Sequence, residues 1–323
     1  MSRYFITGGA GFIGTALARR LVRDDSAFIA VFDNLSRNSL VHHPSLLASN
    51  RLKLIVGDVC DRSALSAAIV ESSPDFVLHL ASVAGVATVE SAPVETSRVS
   101  LLGTLNVLEE AAANTDARLL IDFSTSEVYG NGTNLREDQP TVVLPVGKAR
   151  WCYAASKLAA EHLVRACNGV GGMSTCTIRP FNIYGPGQVG GGAVRSFVKG
   201  ALREKPIFLY GGGGQTRDWC YIDDMVDATI AILESPDLAA SRTINVGNGK
   251  LANCLTVRRL AEVIIELVGS RSTLFDAPPQ DADIDTRAPC IDEARSLFGY
   301  EPKVDIVDGL KRTLGWYREH PDA

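Results

Sequence analysis

Short apolar segments alternate with amphipathic segments along the first half of the chain. The apolar segments are 3–7, 27–33, 52–59, 76–82, 118–124 and 175–181. Apolar side chains recur at helical spacing in the intervening segments 12–24, 61–72, 95–113 and 153–168. Strands that are apolar throughout and alternate with helices are typical of a parallel sheet covered on both faces. The pattern therefore predicts an α/β fold built on a doubly wound parallel sheet, the Rossmann arrangement.

The second half of the chain has a different pattern, with Gly-rich loops around shorter elements. It predicts helices at 193–203, 223–236, 256–268 and 308–319 and strands at 207–210 and 243–248. We expect residues 1–180, rejoined by about 220–248, to form a nucleotide-binding domain. Residues 181–219 and 249–323 would then form a smaller C-terminal lobe that binds the substrate.

The overall composition narrows the class of protein. The net charge is −5, with no long run of either sign, which argues against nucleic acid as the main partner. The seven cysteines are scattered without any C-x-x-C pair, which is typical of reduced thiols in a cytoplasmic protein. The N-terminus enters a strand at once, and no apolar run approaches about 18 residues. We predict a cytoplasmic protein with no signal peptide, no membrane span and no metal site.

Three glycines, Gly8, Gly11 and Gly14, follow the first predicted strand at the spacing G-x-x-G-x-x-G. Glycine lets the backbone turn tightly and approach a pyrophosphate, and the N-terminus of the following helix offers N–H groups to the phosphates. Asp33 ends the second strand, nineteen residues after Gly14. A carboxylate there accepts hydrogen bonds from ribose hydroxyls and repels a 2′-phosphate, so the pattern favours NAD over NADP.

Other cofactor contacts are expected near the ends of the same strands. The candidates are Phe12, Ile13, Asn34, Asp58, Val59, Leu80 and Ala81. The last four could equally be ordinary strand ends and their turns.

Tyr153 and Lys157 are one helical turn apart and therefore point to the same face of their helix. A tyrosine with a pKa of about 10 is a poor base at neutral pH, but a neighbouring ammonium and a bound nicotinamide cation stabilise the phenolate. A hydroxyl from the end of the preceding strand, Thr125, would complete the group. Such a group can take the proton of a substrate alcohol while hydride leaves for NAD.

The segments "TGGAGFIG", "STSEVYG", "YAASK" and "IRPFNIYGPGQ" together resemble the extended short-chain dehydrogenase/reductase family. They are most similar to its nucleotide-sugar epimerases, dehydratases and decarboxylases, and the resemblance covers essentially the whole chain. It implies oxidation of the sugar at C4 by NAD, with Thr125, Tyr153 and Lys157 as the redox centre. It also implies that Asn182 contacts the substrate and that Arg217 binds its diphosphate. One position departs from the family, which often has Asn where Ser100 stands.

Ser126 and Glu127 follow Thr125 and bear on the reaction. The pair resembles the residues that UDP-glucuronate decarboxylases have at these two positions. The segment "PVGKARWCYAASK" also resembles those enzymes. By contrast, 4,6-dehydratases have Asp and Glu at the two positions, and simple 4-epimerases have small residues there. The resemblance implies that Glu127 orients water or the sugar, that Ser126 contacts the substrate, and that Arg287 holds the carboxylate and donates a proton as CO2 leaves. Glu127 could instead be a structural carboxylate, and Arg287 a plain diphosphate contact.

The sequence therefore favours a UDP-glucuronate decarboxylase acting through a 4-keto intermediate. The alternative is a 4-epimerase on a UDP-hexose or UDP-hexuronate. A non-catalytic NAD-sensing protein is a distant alternative, because such a protein would be expected to lose Tyr153 or Lys157, and both are present. The Ala- and Leu-rich helices at 95–113 and 153–168 also predict a homodimer.

Overall fold

A computed structural model describes residues 2–144, 146–279 and 284–323. Pro145, in the segment that resembles the decarboxylases, lies outside the described residues, as do residues 280–283 of the predicted C-terminal lobe.

The strands are numbered in chain order. β1 to β15 are Ser2–Thr7, Ala27–Asp33, Leu52–Val56, Phe76–His79, Leu119–Phe123, Gly132–Leu135, Ser174–Pro180, Ile183–Tyr184, Ile207–Tyr210, Thr216–Asp218, Cys220–Tyr221, Arg242–Val246, Cys254–Thr256, Leu274–Ala277 and Thr286–Pro289.

The α-helices are numbered in the same way. α1 to α13 are Phe12–Leu21, Pro44–Leu47, Arg62–Ser72, Val86–Ser91, Pro93–Arg98, Thr104–Asn114, Trp151–Ala166, Ala193–Leu202, Ile222–Leu233, Pro236–Ala239, Val257–Val268, Asp292–Phe298 and Ile306–Glu319. A π-helical turn, Val99–Gly103, joins α5 to α6, and a 3₁₀ turn, Ser126–Tyr129, follows β5.

A seven-stranded parallel sheet forms the centre of the molecule, in the order β12-β7-β5-β4-β1-β2-β3. The chain reverses its direction of winding between β1 and β4, which is where ligands bind in doubly wound sheets. Apolar side chains from the strands and the flanking helices fill two large clusters on the sheet. The predicted Rossmann fold is confirmed.

The remaining strands form smaller sheets beside this one. The largest has the order β13-β10-β15-β6, so it combines a strand that follows β5 with strands from the C-terminal part of the chain. β9 pairs with β14, and β8 pairs with β11. The boundary between two domains stays a prediction, but β12 lies in the central sheet beside β7.

The predicted elements are found, with differences at their ends. The third and fourth strands stop at Val56 and His79, several residues earlier than predicted, because the chain there turns away from the sheet to line a cleft. The predicted helix 95–113 is interrupted by the π-helical turn. Within the described parts of the chain, no helix is long and apolar enough to cross a membrane. The cytoplasmic location stays a prediction.

Candidate active site

The glycine loop packs against the carboxyl end of the sheet. Gly8 has a φ of +67°, and a Cβ added there would lie 2.6 Å from the backbone nitrogen of Ala81. A Cβ on Gly14 would lie 2.5 Å from the carbonyl oxygen of Gly8. A side chain at either position would therefore force the loop and helix α1 away from the strand ends. Gly11 precedes the first residue of α1 and offers no side-chain cap to its N–H groups. This cradle fits a dinucleotide phosphate.

Asp33 lies at the end of β2 and is fixed by the backbone around it. Its carboxylate accepts hydrogen bonds from the amides of Ala10, at 3.0 Å, and Leu35, at 2.7 Å. Burial raises the pKa of this carboxyl group, and the amides act in the opposite direction. The carboxylate is thus held beside the glycine loop, as hydrogen bonding to ribose hydroxyls requires.

A cleft of about 670 Å³ runs along the sheet edge from Asp33 to Tyr153. It is lined by every predicted cofactor residue except Lys157, which is fully buried. These lining residues are Gly8, Gly11, Phe12, Ile13, Gly14, Asp33, Asn34, Asp58, Val59, Leu80, Ala81 and Tyr153. Asn34 and Asp58 are hydrogen-bonded to each other at 3.2 Å on one wall. The cleft thus brings the predicted adenosine end and the predicted redox centre into one groove.

Tyr153 lies on α7 at the far end of this cleft. Burial raises the pKa of its phenol to about 12, and the charge of Glu127 adds to the effect. Polar contacts with Ser82 and Thr125 lower this pKa. Without further positive charge the phenol is a poor base, so the chemistry requires cations close to it. A nicotinamide ring bound in the cleft would supply one.

Lys157 supplies a cation from the protein itself. Its Nζ donates a hydrogen bond to the carbonyl oxygen of Phe123 at 2.6 Å, and the side chain is fully buried. Thr125 follows the same strand, and its hydroxyl accepts a hydrogen bond from the amide of Glu127 at 3.2 Å. The end of β5 and the first turns of α7 therefore bring together the predicted redox residues.

Glu127 lies between two buried arginines. Its Oε1 is 3.6 Å from Nη1 of Arg287 and 3.9 Å from Nη2 of Arg150. Nη1 of Arg287 also donates to the hydroxyl of Ser126 at 3.4 Å. Two guanidinium groups thus face one carboxylate next to Thr125.

Arg217 lies on β10, next to the strand that carries Arg287, and Asn182 lies between β7 and β8. Arg217 pairs in register with Arg287 on the neighbouring parallel strand, so both side chains leave the same face of the small sheet. Asn182 has a φ of +41° and donates its side-chain amide to the carbonyl oxygen of Asp218 at 2.9 Å. Its predicted contact with the substrate stays a prediction.

Arg150 and Arg37 are two residues of this site that were not identified from the sequence. Arg150 precedes Tyr153 by three positions, one helical turn, but a sequence does not distinguish a buried arginine from a solvated one. Ser82 and Arg37 line the cleft, and Arg37 donates to the hydroxyl of Thr88 at 2.8 Å.

Comparisons with known proteins agree with this geometry. A family model described as the NAD dependent epimerase/dehydratase family matches residues 4–247. The chain belongs to this family. It is 32% identical over 329 residues to a UDP-N-acetyl-alpha-D-glucosaminuronate decarboxylase of Bacillus cytotoxicus, and the alignment covers 98% of each chain. It is 33% identical over 324 residues to UDP-glucuronic acid decarboxylase 1 of Arabidopsis thaliana, with 98% of this chain and 70% of the relative covered.

A solved structure has the same fold as this chain. The UDP-glucuronic acid 4-epimerase of Bacillus cereus, in complex with UDP-glucuronic acid and NAD, superposes with a TM-score of 0.89 at 26% identity, covering 98% of this chain and 99% of the other. As a member of the epimerase/dehydratase family, the protein is an NAD-dependent enzyme. The predicted family and cofactor are confirmed.

Proposed function

We propose that the protein decarboxylates UDP-glucuronate after oxidising its sugar at C4. The observation that carries the proposal is the position of Arg287, which lies within 3.6 Å of both Ser126 and Glu127, directly after Thr125 of the redox centre. A guanidinium group there suits a carboxylate that is two carbons from the oxidised position.

The charges around the substrate region support an acidic sugar. Arg150 and Arg287 are buried, and each has a guanidinium nitrogen within 3.9 Å of the carboxylate of Glu127, next to the redox centre. A guanidinium group can bind a carboxylate through two parallel hydrogen bonds, which a neutral hydroxymethyl group cannot accept. The 6-carboxylate of a uronate therefore suits this region better than the C6 hydroxyl of a neutral hexose. We assign the diphosphate of the same substrate to Arg217, which is the register partner of Arg287 on the neighbouring strand.

The redox residues carry out the first step in this proposal. The Tyr153 phenolate, stabilised by Lys157, removes the proton from the C4 hydroxyl, while Thr125 positions that hydroxyl. A bound NAD, held by the cleft that Asp33 and the glycine loop line, would supply the acceptor for the hydride that leaves C4. The C4 ketone makes the sugar a β-keto acid, so the bond between C5 and C6 can break with its electrons delocalised onto the C4 oxygen. Protonated Tyr153 then stabilises that oxygen while CO2 leaves, and a proton from water adds to C5 to give the 4-keto pentose.

Arg287 holds the carboxylate during these steps and favours its loss only indirectly. Its role is to hold the C5–C6 bond perpendicular to the plane of the ketone, because in that orientation the electrons of the breaking bond can delocalise into the carbonyl group. Glu127 keeps the guanidinium in place and orients a water or a sugar hydroxyl. No nucleophilic attack is assigned to Glu127.

A 4-epimerase acting on UDP-glucuronate is the second candidate. The same arginines would hold the carboxylate, and the same tyrosine would oxidise C4, but the hydride would return to the opposite face of the ketone. The similar proteins include both decarboxylases and UDP-glucuronate 4-epimerases. The redox centre serves both reactions, so the product decides between them.

The test is to incubate the purified protein with UDP-glucuronate and NAD and to measure the product by mass spectrometry. Loss of the mass of CO2 supports decarboxylation, and a new isomer of unchanged mass supports the epimerase. Tyr153→Phe is the control and should abolish either product while NAD binding is retained. If wild-type protein consumes UDP-glucose but leaves UDP-glucuronate unchanged, the proposed substrate class is wrong.

We also propose that the protein is a homodimer. Val94, Leu102 and Leu105 are large apolar residues exposed along α5, the π-helical turn and α6. The neighbouring helix α7 exposes the small side chains of Ala155 and Ala159. Leucines beside a surface of small side chains allow two copies of these helices to pack closely across a two-fold axis.

A further inference from the structure

Asp122 is a fully buried carboxylate in the redox centre that the steps above do not use. It lies on β5, next to Phe123, and its side chain has no exposed surface. Within the described residues, neither of its oxygens accepts a hydrogen bond. Its Oδ1 lies 3.8 Å from Nζ of Lys157. Burial raises the pKa of the Asp122 carboxyl group, and the charge of Lys157 acts in the opposite direction, so the ammonium group is what favours the charged carboxylate.

Lys157 is thus held from two sides by the same strand. Its Nζ donates to the carbonyl oxygen of Phe123 at 2.6 Å and faces the carboxylate of Asp122. Tyr153 is one helical turn away on α7, on the same face as Lys157. Any change in the position or net charge of the Asp122–Lys157 pair therefore acts on the phenol.

We propose that Asp122 is a positioning residue for the redox centre: as the buried counterion of Lys157, it holds the ammonium group against β5 and offsets part of the effect of that positive charge on Tyr153. The inference rests on the redox role given to Tyr153 and Lys157 in the proposed function. It does not depend on which sugar is bound or on which product is released.

The other titratable groups near the pair do not take over this role. On β4, His79 is held by the hydroxyls of Thr7, at 2.7 Å, and Thr104, at 3.0 Å. Burial and the charge of Lys157 lower the pKa of His79 to about 3, so it is neutral. On β7, burial raises the pKa of the Cys176 thiol to about 12, so it is neutral as well.

Two carboxylates remain, and both have cations of their own. Glu161 on α7 is bound by Arg179, with Nη2 at 2.6 Å and Nε at 3.0 Å, and by the hydroxyl of Ser124. Glu127, whose charge acts on Tyr153, faces Arg287 and Arg150. Among the described residues, Asp122 is the carboxylate paired with Lys157.

The consequence is a test that needs no substrate. The charge of Asp122 raises the pKa of Tyr153, so Asp122→Asn should make the phenol ionise at lower pH. We expect the tyrosinate fraction at Tyr153 to rise about threefold to tenfold at one fixed alkaline pH below the pKa of the phenol. The tyrosinate absorbance of each protein is measured with NAD bound. The contribution of Tyr153 is obtained by subtracting the absorbance of the same protein carrying Tyr153→Phe. Circular dichroism checks that each variant is folded.

Glu161→Gln is the matched control, because it removes a comparably buried carboxylate whose partner is Arg179 and not Lys157. It should leave the tyrosinate fraction at Tyr153 at the wild-type value. Asp122→Leu is the second variant, since an apolar side chain suits a fully buried position, and it should reproduce the rise. An unchanged fraction in the folded Asp122 variants overturns the proposal, as does an equal rise in Glu161→Gln. Because no sugar is present, either result is independent of whether UDP-glucuronate is the substrate.

Discussion

Arg287 lies 3.4 Å from the hydroxyl of Ser126, a residue 161 positions earlier in the chain. The contact depends on β15, which carries Arg287 and pairs with β6, the strand that follows the Ser126–Tyr129 turn. The guanidinium group and the redox centre therefore meet only where the C-terminal part of the chain joins the strand after β5. In the proposed function, this junction forms the site for the substrate carboxylate.

Replacing Arg287 should affect an acidic sugar far more than a neutral one. We expect Arg287→Gln to lower kcat/KM for UDP-glucuronate by about a hundredfold, because it removes the charge that holds the carboxylate in a buried site. The affinity for UDP-glucose, measured by calorimetry, should change little. The control is Arg295→Gln, which replaces an exposed arginine that is paired with Glu301. Equal loss for both sugars would assign Arg287 to the diphosphate.

Asp33 should set the preference for NAD. We expect Asp33→Asn to weaken NAD binding about tenfold or more and to reduce the difference in affinity between NAD and NADP. The reason is that the variant lacks the carboxylate that accepts hydrogen bonds from the ribose hydroxyls and repels a 2′-phosphate. Titration calorimetry with both dinucleotides measures the two affinities. Asp25→Asn, at a carboxylate that is 98% exposed, should leave both unchanged. A variant that still rejects NADP as strongly as wild type would show that another group makes the selection.

His79 should make the protein less stable in acid. Its pKa is lowered from 6.5 to about 3 by burial and by Lys157, so between these values the unfolded chain binds a proton that the folded protein does not. The free energy of unfolding should therefore fall as the pH drops from 6.5 towards 3, with His79 contributing about 1.4 kcal/mol per pH unit.

Denaturant unfolding at several pH values measures this slope. His79→Gln keeps a side chain that can bond the two threonines and should show a shallower fall, whereas the same change at the exposed His162 should reproduce the wild-type slope. Identical slopes in wild type and His79→Gln would mean that His79 is protonated in the folded protein.

The proposed dimer should depend on the exposed leucines of the α5–α6 region. Leu105→Glu introduces a charge into the packed surface and should convert the protein from a dimer to a monomer of 34.6 kDa, as measured by light scattering during size exclusion. Leu238→Glu, at a leucine of similar exposure on α10, should leave the mass unchanged. A wild-type protein that elutes as a monomer at micromolar concentration contradicts the proposal.

Much of the cofactor site was predictable because its parts are local in sequence. The glycine triplet lies between β1 and α1, and Asp33 ends the next strand, so a strand–loop–helix pattern is enough to bring them together. Tyr153 and Lys157 were predictable for the same reason, since helical spacing alone places them on one face. The bounds of β3 and β4 were less accurate, because an apolar sequence continues past the point where the backbone leaves the sheet.

Arg150 and Asp122 show where prediction from sequence stopped. Nothing local distinguishes Arg150 from the many solvated arginines, and its burial beside Glu127 appears only when α7 packs against the turn after β5. Asp122 looks like an isolated polar residue in an apolar strand, and only the position of Lys157 across the interface explains it.

The sequence by itself determined the alternating strand and helix pattern, the dinucleotide cradle and the pairing of tyrosine with lysine, because each depends on residues within one or two turns or strands. Tertiary structure alone decided which charges meet. Arg287 reaches Glu127 through the pairing of β15 with β6, and Asp122 reaches Lys157 through the packing of α7 on β5. Coulomb interactions depend on the distance between charges in space and not on their separation along the chain. The pairing of charges in the site was therefore not predictable until the folded structure was known.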